Sequence, residues 1–148
     1  MKASRNILLI EDDEDHAELL TRNANPSDKI SRIGDGGEAL DFLFGLEQSP
    51  TADRPDLIIL DLKLPTADGT MILAKIKTDE KAKILGLHRI PVVIVTSSIN
   101  PRDISNAYDN YTNSYLEKPR SPEGWAHLMR QIDEYWLTCN KSSLGLPS

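Results

Sequence analysis

Short runs of consecutive apolar residues alternate along this chain with segments in which apolar residues recur every three or four positions. An uninterrupted apolar run is typical of a strand buried on both faces of a parallel sheet, whereas the wider spacing is typical of an amphipathic helix. Three strong runs predict strands at residues 6–10, 57–60 and 91–95, and two weaker runs predict strands at residues 30–33 and 115–116.

A predicted helix follows each of these five strands. The strict alternation predicts an α/β protein, with a doubly wound parallel sheet, right-handed crossovers and helices on both faces. At this length we expect the five-stranded flavodoxin-like architecture with strand order 2-1-3-4-5. The predicted apolar faces of the helices comprise Ala17, Leu20 and Ala24; Leu40, Leu43 and Phe44; Ile72, Leu73 and Ile76; Ile104, Ala107, Tyr108 and Tyr111; and Trp125, Leu128, Met129, Ile132 and Trp136.

Composition indicates one acidic domain. The 148 residues carry 17 Lys and Arg against 23 Asp and Glu, a formal net charge of −6, which argues against nucleic acid or an anionic membrane as a partner. Cys139 has no second cysteine to pair with, and no signal peptide or membrane-length apolar run is apparent, so we expect a cytoplasmic protein. The predicted domain covers residues 1–137, with an exposed loop at 47–55. A tail without an output domain is predicted at 138–148, either disordered or docked elsewhere.

Polar and charged residues occur where the predicted strands end. Glu11 and Asp12 follow the first strand, Asp61 follows the third, Thr96 follows the fourth and Lys118 follows the fifth. The ligand crevice of a doubly wound sheet lies outside the carboxyl ends of its strands, so these side chains are expected to converge there. Crowded carboxylates favour a hard cation with oxygen ligands, and Mg²⁺ together with a phosphoryl group is the predicted chemistry.

Each of these residues also has a purely structural explanation. Asp13 lies between a strand and a helix, so we interpret it as a helix N-cap rather than a metal ligand. Asp61 alone could form a turn, because the loop that follows it is rich in turn residues, and Lys118 alone could be a surface lysine. The functional interpretation therefore depends on their joint arrival at one edge of the sheet.

Three other patterns carry weaker signals. Residues 34–39 match a dinucleotide-binding glycine pattern, but they follow the weak second strand, so a glycine-rich turn that caps a helix is the preferred interpretation. A phosphatase of the haloacid dehalogenase type also uses a strand-end aspartate, but it requires a second Asp two residues on, where this chain has Lys63. The remaining candidates lack ligand spacing or a catalytic base and are predicted to be structural: His16, His88, His127 and Cys139.

Taken in order, the strand-end motifs resemble the receiver domain of two-component response regulators. The matching pieces are Glu11-Asp12, Asp61 with the loop that follows it, Asp68-Gly69, Thr96-Ser97 and Lys118-Pro119. The resemblance covers residues 5–137, nearly the whole chain. It implies that Asp61 accepts a phosphoryl group from the histidine of a sensor kinase.

The same resemblance implies a role for each residue around Asp61. Mg²⁺ would bind Asp12, Asp61 and the backbone carbonyl of Lys63, while Glu11 would hold a metal-bound water. Lys118 would pair with the phosphate, and the Lys118–Pro119 bond would be cis. The remaining roles are a phosphoryl-binding hydroxyl on Thr96, a small Ser97 that leaves the pocket open, and a switch in which Tyr115 turns inward as Thr96 moves.

Further features resemble the stand-alone receivers that are paired with cyanobacterial and bacterial phytochromes. They are the loop at 47–55, residues 54–57 and 100–103, and the pair Tyr135-Trp136. A phytochrome-type kinase is therefore the expected donor. The aromatic pair and the apolar residues Leu144 and Leu146 of the tail predict a homodimer through the last helix and tail.

Two alternative functions stay open at this point. One is a receiver-like interaction module that works without phosphorylation, and the other is a Mg²⁺-dependent phosphohydrolase. The resemblance favours neither, because it implies a phosphoacceptor whose only reaction of its own is slow autodephosphorylation. The phosphoryl lifetime is not predicted, since Lys63 could either contact the phosphoryl group or block the attacking water.

Overall fold

A computed structural model describes residues 4–48 and 54–144 of the chain. Its centre is a five-stranded parallel sheet in the order β2-β1-β3-β4-β5, so the predicted fold class and strand order are confirmed. Most of the predicted 47–55 loop and the end of the tail, including Leu146, lie outside the described residues. The strands are β1 (Asn6–Ile10), β2 (Lys29–Ile33), β3 (Leu57–Leu60), β4 (Val92–Thr96) and β5 (Ser114–Glu117).

Helices connect the strands and cover both faces of the sheet. Each of the six α-helices in the described part of the chain begins at a side-chain cap, and Asp13 fills that role for the first helix by accepting from the backbone N–H groups of Asp15 and His16. The helices are α1 (Glu14–Arg22), α2 (Gly36–Phe44), α3 (Gly69–Thr78), α4 (Glu80–Leu85), α5 (Pro101–Asp109) and α6 (Pro122–Ile132), the last of which continues as a π-helical segment, Asp133–Cys139.

The core consists of two layers, one on each face of the sheet. Alternate residues of β1 and β3 point to opposite faces: Leu8 and Ile58 pack with α2 and α3, whereas Ile7 and Ile59 pack with α1 and α6. Because both faces are covered, the central strands need apolar residues at every position. This explains the uninterrupted runs in the sequence.

The structure differs from the prediction between β3 and β4, where two helices replace one. The additional helix α4 buries only Ala82, while Ile84 is 84% exposed. Without an apolar stripe this helix leaves no periodic signal in the sequence. Its cap, Asp79, accepts from the backbone N–H of Lys81 at 2.8 Å, and Gly86 ends it in the left-handed conformation, so these two residues were the sequence cues.

The predicted apolar face of α5 is also partly wrong. Ala107 is buried, but Tyr108 is 51% exposed and Tyr111 is 65% exposed. The helix ends at Asp109, and Tyr111 has a positive φ of 71°. Tyrosine occurs on surfaces as readily as in cores because one end of its ring is polar, so its spacing alone does not establish burial.

The described part of the tail crosses the amino-terminal edge of the sheet. Leu137 packs with the α1 and α6 layer, whereas Leu144 packs against the opposite layer. Between them, residues 140–142 line a cavity with Arg5, Asp56 and Pro91, which lie beside the starts of the central strands. The tail is therefore docked on its own domain as far as residue 144.

Candidate functional site

The acidic residues that follow β1 and β3 meet at the carboxyl edge of the sheet. Glu11, Asp12 and Asp61 each offer a carboxylate oxygen within 4.8 Å of the others. Glu11 and Asp61 are buried and Asp12 is exposed, so the cluster opens to solvent on one side. The Arg32 guanidinium holds the loop that follows β1, because it donates to the backbone oxygens of Glu11 at 2.9 Å and Asp12 at 2.8 Å. Three hard oxygen donors at this spacing suit a divalent cation.

Lys118 brings its ammonium into direct contact with two carboxylates of this cluster. Its Nζ lies 2.6 Å from Glu11 Oε1 and 2.8 Å from Asp61 Oδ2. The backbone N–H of Lys118 donates to the Thr96 oxygen at 2.8 Å, which prolongs the pairing of β4 with β5 and aims the side chain into the crevice. A third contact, to His16 Nδ1, is 2.8 Å long.

The three charged groups have altered affinities for protons. Burial raises the pKa of Glu11 to about 7, although its hydrogen bond with Lys118 acts in the opposite direction. Burial also acts to raise the pKa of Asp61, but the hydrogen bond and charge of Lys118 outweigh it and hold that pKa below its usual value. Burial acts to lower the pKa of Lys118, and the bonds to Asp61 and Glu11 raise it instead. Asp61 is therefore an ionised carboxylate at neutral pH.

Thr96 and Tyr115 lie on the neighbouring strands. Thr96 is fully buried at the end of β4, and its Oγ1 has no hydrogen-bond partner. A buried hydroxyl without a partner costs about 1–3 kcal/mol, so Thr96 is ready to bind an oxygen that enters the crevice. Ser97 beside it is exposed. The half-buried Tyr115 donates its hydroxyl to the Ser98 backbone oxygen at 2.8 Å.

Lys63 contacts Asp61 through its backbone, not its side chain. Its N–H donates to Asp61 Oδ1 at 3.2 Å, and its carbonyl stays a predicted metal ligand. The side chain is 68% exposed and places Nζ 3.5 Å from Asp103 Oδ2. Asp103 in turn accepts from the Ser98 hydroxyl at 2.5 Å. The resting structure thus directs the Lys63 ammonium toward α5.

One prediction for the site is wrong, and one residue that was interpreted as structural lies closer to the site than expected. The Lys118–Pro119 bond is trans, as are the other peptide bonds of the described residues; the small energy difference between the two isomers of such a bond leaves the choice to context. His16 was interpreted as structural, yet it contacts Lys118. The signal available was its place in the first turn of α1, directly after the acidic loop.

The glycine-rich turn behaves as the preferred interpretation expects. Asp35 caps α2 by accepting from the Glu38 N–H at 2.9 Å, and it also accepts from the Thr66 hydroxyl. The turn follows β2 at the side of the sheet, where it serves helix initiation.

No helix among the described residues is both long and apolar enough to cross a bilayer.

Comparison with known families agrees with this geometry. The profile of the response regulator receiver domain matches residues 7–130. The chain belongs to the receiver-domain family. The acidic cluster, Thr96 and Lys118 all fall inside the matched range.

Individual relatives cover nearly the whole receiver. The probable methanogenesis regulatory protein FilR2 of Methanothrix harundinacea is 40% identical over 139 residues, which is 92% of this chain and 86% of the relative. The response regulator Rcp1 of Synechocystis sp. is 34% identical over 134 residues, 88% of each chain. Its Mn²⁺-bound crystal structure has a TM-score of 0.80 at 31% identity, over 97% of this chain and 99% of that one.

A third relative has been crystallised in a phosphorylated form. The crystal structure of the phosphorylated cyanobacterial phytochrome response regulator RcpA has a TM-score of 0.83 at 34% identity, over 95% of this chain and 99% of that chain. This receiver is therefore similar in fold and length to phytochrome-associated response regulators.

Proposed function

We propose that this receiver is a single-domain response regulator that accepts a phosphoryl group on Asp61 from a sensor histidine kinase and relays the signal through protein contacts. The observation that carries the proposal is the state of Asp61. It is a buried carboxylate, it stays ionised beside Lys118, and it faces a cluster of oxygen donors. Phosphoryl transfer requires little more than positioning and charge neutralisation.

The side chains have complementary roles in this transfer. An Asp61 carboxylate oxygen forms a bond to phosphorus while the bond from phosphorus to the kinase histidine breaks and its electron pair returns to the imidazole. Lys118 neutralises a phosphoryl oxygen, and the unpartnered Thr96 hydroxyl donates to another. Mg²⁺ held by Asp12, Asp61 and the Lys63 carbonyl, with Glu11 holding one of its waters, would supply further neutralisation of the phosphoryl charge.

Intact mass after incubation with acetyl phosphate and Mg²⁺ tests the proposal. We expect one phosphoryl adduct on the wild-type chain that requires Mg²⁺ and is absent from Asp61→Asn. Asp56→Asn is the matched control, because Asp56 caps the β1 start at the opposite edge by accepting from the Asn6 N–H at 2.8 Å. An adduct that persists in Asp61→Asn would contradict the assignment of the acceptor.

The alternatives predict different results in the same experiment. A phosphorylation-independent interaction module takes no adduct, and it also fails to respond to beryllium fluoride, which imitates the phosphoryl group. A Mg²⁺-dependent phosphohydrolase releases phosphate continuously from small esters. Lys63 argues against the second alternative, because it stands where a phosphatase of the haloacid dehalogenase type needs a second Asp, and its ammonium is directed toward Asp103.

A phytochrome-type kinase is the proposed donor. The support is the similarity to Rcp1 and RcpA, of which RcpA is described as a phytochrome response regulator. Transfer from a purified phosphorylated phytochrome kinase within seconds, and slower transfer from an unrelated histidine kinase, is the result that this pairing predicts.

Thr96→Ala is expected to separate phosphorylation from signalling. Asp61, Lys118 and the acidic cluster remain, so the final extent of phosphate uptake should be unchanged although its rate falls, and the hydroxyl that senses the phosphoryl oxygen is lost. The NMR chemical shifts of Tyr115 and its neighbours should then respond little to phosphorylation. Ser97→Ala, an exposed neighbour, should keep the full response. A full Tyr115 response in Thr96→Ala would exclude this coupling.

Homodimerisation through the last helical segment is proposed as the mode of assembly. Tyr135 is 56% exposed and meets the Trp136 ring edge-on at 4.8 Å, whereas Leu144 is occupied by its own domain. Light scattering should give twice the chain mass of 16.5 kDa at high concentration, and Tyr135→Lys should return the monomer. Tyr108→Lys, on the similarly exposed α5 tyrosine, should leave the dimer intact. A monomer at all concentrations would refute the assembly.

A further inference from the structure

The imidazole of His16 contacts the Lys118 ammonium, alongside the carboxylates of Glu11 and Asp61. Its Nδ1 lies 2.8 Å from Lys118 Nζ, and since an ammonium only donates, Nδ1 accepts this bond and the ring carries its proton on Nε2. Two carboxylates lie farther from Nδ1, at 3.5 Å for Asp13 Oδ2 and 3.8 Å for Glu11 Oε1. The contact with Lys118 is therefore the shortest one that Nδ1 makes.

The imidazole is fixed from its other side by an aromatic ring. The centroids of His16 and Trp125 are 5.4 Å apart, with 32° between the ring planes. Trp125 is itself buried in the layer between α1 and α6. The ring of His16 thus has a defined place at the crevice mouth, with its side chain one-third exposed.

The three partners of Lys118 differ in whether they must bind another ligand during phosphoryl transfer. A lysine ammonium has three N–H groups, and here they meet Glu11, Asp61 and His16. The two carboxylates belong to the cluster that suits a divalent cation, and Asp61 is the proposed acceptor. Their oxygens must be shared or given up when these ligands arrive. His16 is outside the cluster and can keep its bond throughout.

We propose that His16 is a positioning residue that holds the Lys118 ammonium above Asp61 while the carboxylates take up other ligands. A neutral acceptor is suited to this task, because it fixes the ammonium without neutralising the charge that must meet the phosphoryl group. The consequence for phosphoryl transfer rests on the proposed function; the tether itself exists in the resting protein.

Two substitutions of His16 test separately its hydrogen-bond acceptor, Nδ1, and its ring contact with Trp125. His16→Phe keeps an aromatic ring against Trp125 and removes the acceptor atom. His16→Asn removes the ring and retains an acceptor oxygen that can occupy the place of Nδ1. A merely structural role, in which the ring matters, predicts that the asparagine variant is the more damaged of the two. A positioning role predicts the reverse order.

The first measurement uses the protein without phosphoryl donor and with saturating Mg²⁺, which engages the carboxylates of Glu11 and Asp61 and so makes the contact with His16 the decisive one for the Lys118 ammonium. Ammonium protons of lysine are visible by NMR only when hydrogen bonds hold the group and slow its exchange with water. We expect a Lys118 Nζ signal in the wild type and in His16→Asn, and its loss or strong broadening in His16→Phe. Retention of the signal in His16→Phe would overturn the tether, whether or not the chain accepts phosphate.

The second measurement is the rate of adduct formation as acetyl phosphate is varied at saturating Mg²⁺. Losing one hydrogen bond to a charged group should lower the maximal rate of His16→Phe about tenfold. The donor concentration at half-maximal rate should stay unchanged, and His16→Asn should stay within about twofold of wild type. Equal rates in all three proteins would overturn the role in transfer. Absence of an adduct in the wild type would instead refute the proposed function and leave the NMR result to decide the tether.

Discussion

Replacing Lys118 with methionine is expected to lower the free energy of unfolding by about 3–5 kcal/mol at pH 8, since breaking a buried ion pair from one side leaves uncompensated charge. Methionine fills a similar volume but donates to neither Glu11 nor Asp61, which are 1% and 5% exposed. Two carboxylates would then share a buried site without a cation. Urea unfolding followed by circular dichroism measures the loss.

The loss should depend on pH in a defined direction. Without Lys118, the pKa values of Glu11 and Asp61 in the folded variant rise above those of the unfolded chain, so the folded state binds more protons. Stability of the variant therefore falls as pH rises from 5 to 8, and more steeply than in the wild type. Adding Mg²⁺, which binds the folded cluster, should restore part of the stability at pH 8.

Lys63→Met is the matched control for charge. Lys63 also lies beside Asp61 in the sequence, but its side chain is 68% exposed and pairs with Asp103 at the surface. Its replacement should change the free energy of unfolding by less than about 1 kcal/mol, with no added pH dependence. If Lys118→Met proves as mild as Lys63→Met, the buried ion pair does not hold the site together.

Gly69→Ala is expected to lower the free energy of unfolding by about 3 kcal/mol and to slow phosphorylation of Asp61. A Cβ at Gly69 would lie 2.5 Å from Leu62 Cα and 2.6 Å from the Asp61 backbone oxygen. Both contacts are with backbone, which cannot rotate away. The start of α3 must therefore separate from the acceptor loop, weakening the bond from the Gly69 N–H to the Leu62 oxygen at 2.9 Å.

Gly45→Ala shows what the same change does without a clash. Gly45 has no atom within 4 Å of its ideal Cβ position and an ordinary φ of −82°. Alanine there should be neutral, or stabilise by about 0.4–1 kcal/mol through the unfolded chain. The comparison requires thermal unfolding and the rate of Asp61 phosphorylation, both measured on the Gly69→Ala and Gly45→Ala variants. A Gly69→Ala protein with wild-type stability would show that the acceptor loop can move freely.

Local signals predict the fold well where packing is symmetric. The central strands are apolar at every position because helices cover both faces, so their sequence runs are unambiguous. The sequence-based predictions are wrong where the spacing of apolar residues does not match which residues are buried. Helix α4 buries one alanine and was missed, and the tyrosines of α5 follow helical spacing but lie at the surface.

The site follows a similar rule. Residues that come directly after strands, such as Asp61 and Lys118, are placed by the topology of the sheet, and sequence order is enough to bring them together. His16 projects from a helix, and its approach to Lys118 spans 102 positions of sequence. The contact depends on how α1 packs over the sheet, and the one local signal for it was the place of His16 in the first turn of α1, directly after the acidic loop.

The route of the tail has a practical consequence for attachments to this chain. Residues 140–142 lie beside Arg5, Asp56 and Pro91 at the start of the strands, and Asp61 lies at their other end, roughly 15 Å away for a strand of this length. Residues 140–142 therefore lie at the edge of the sheet opposite the crevice. A fluorescent reporter placed there should therefore leave the approach of a kinase to Asp61 unobstructed.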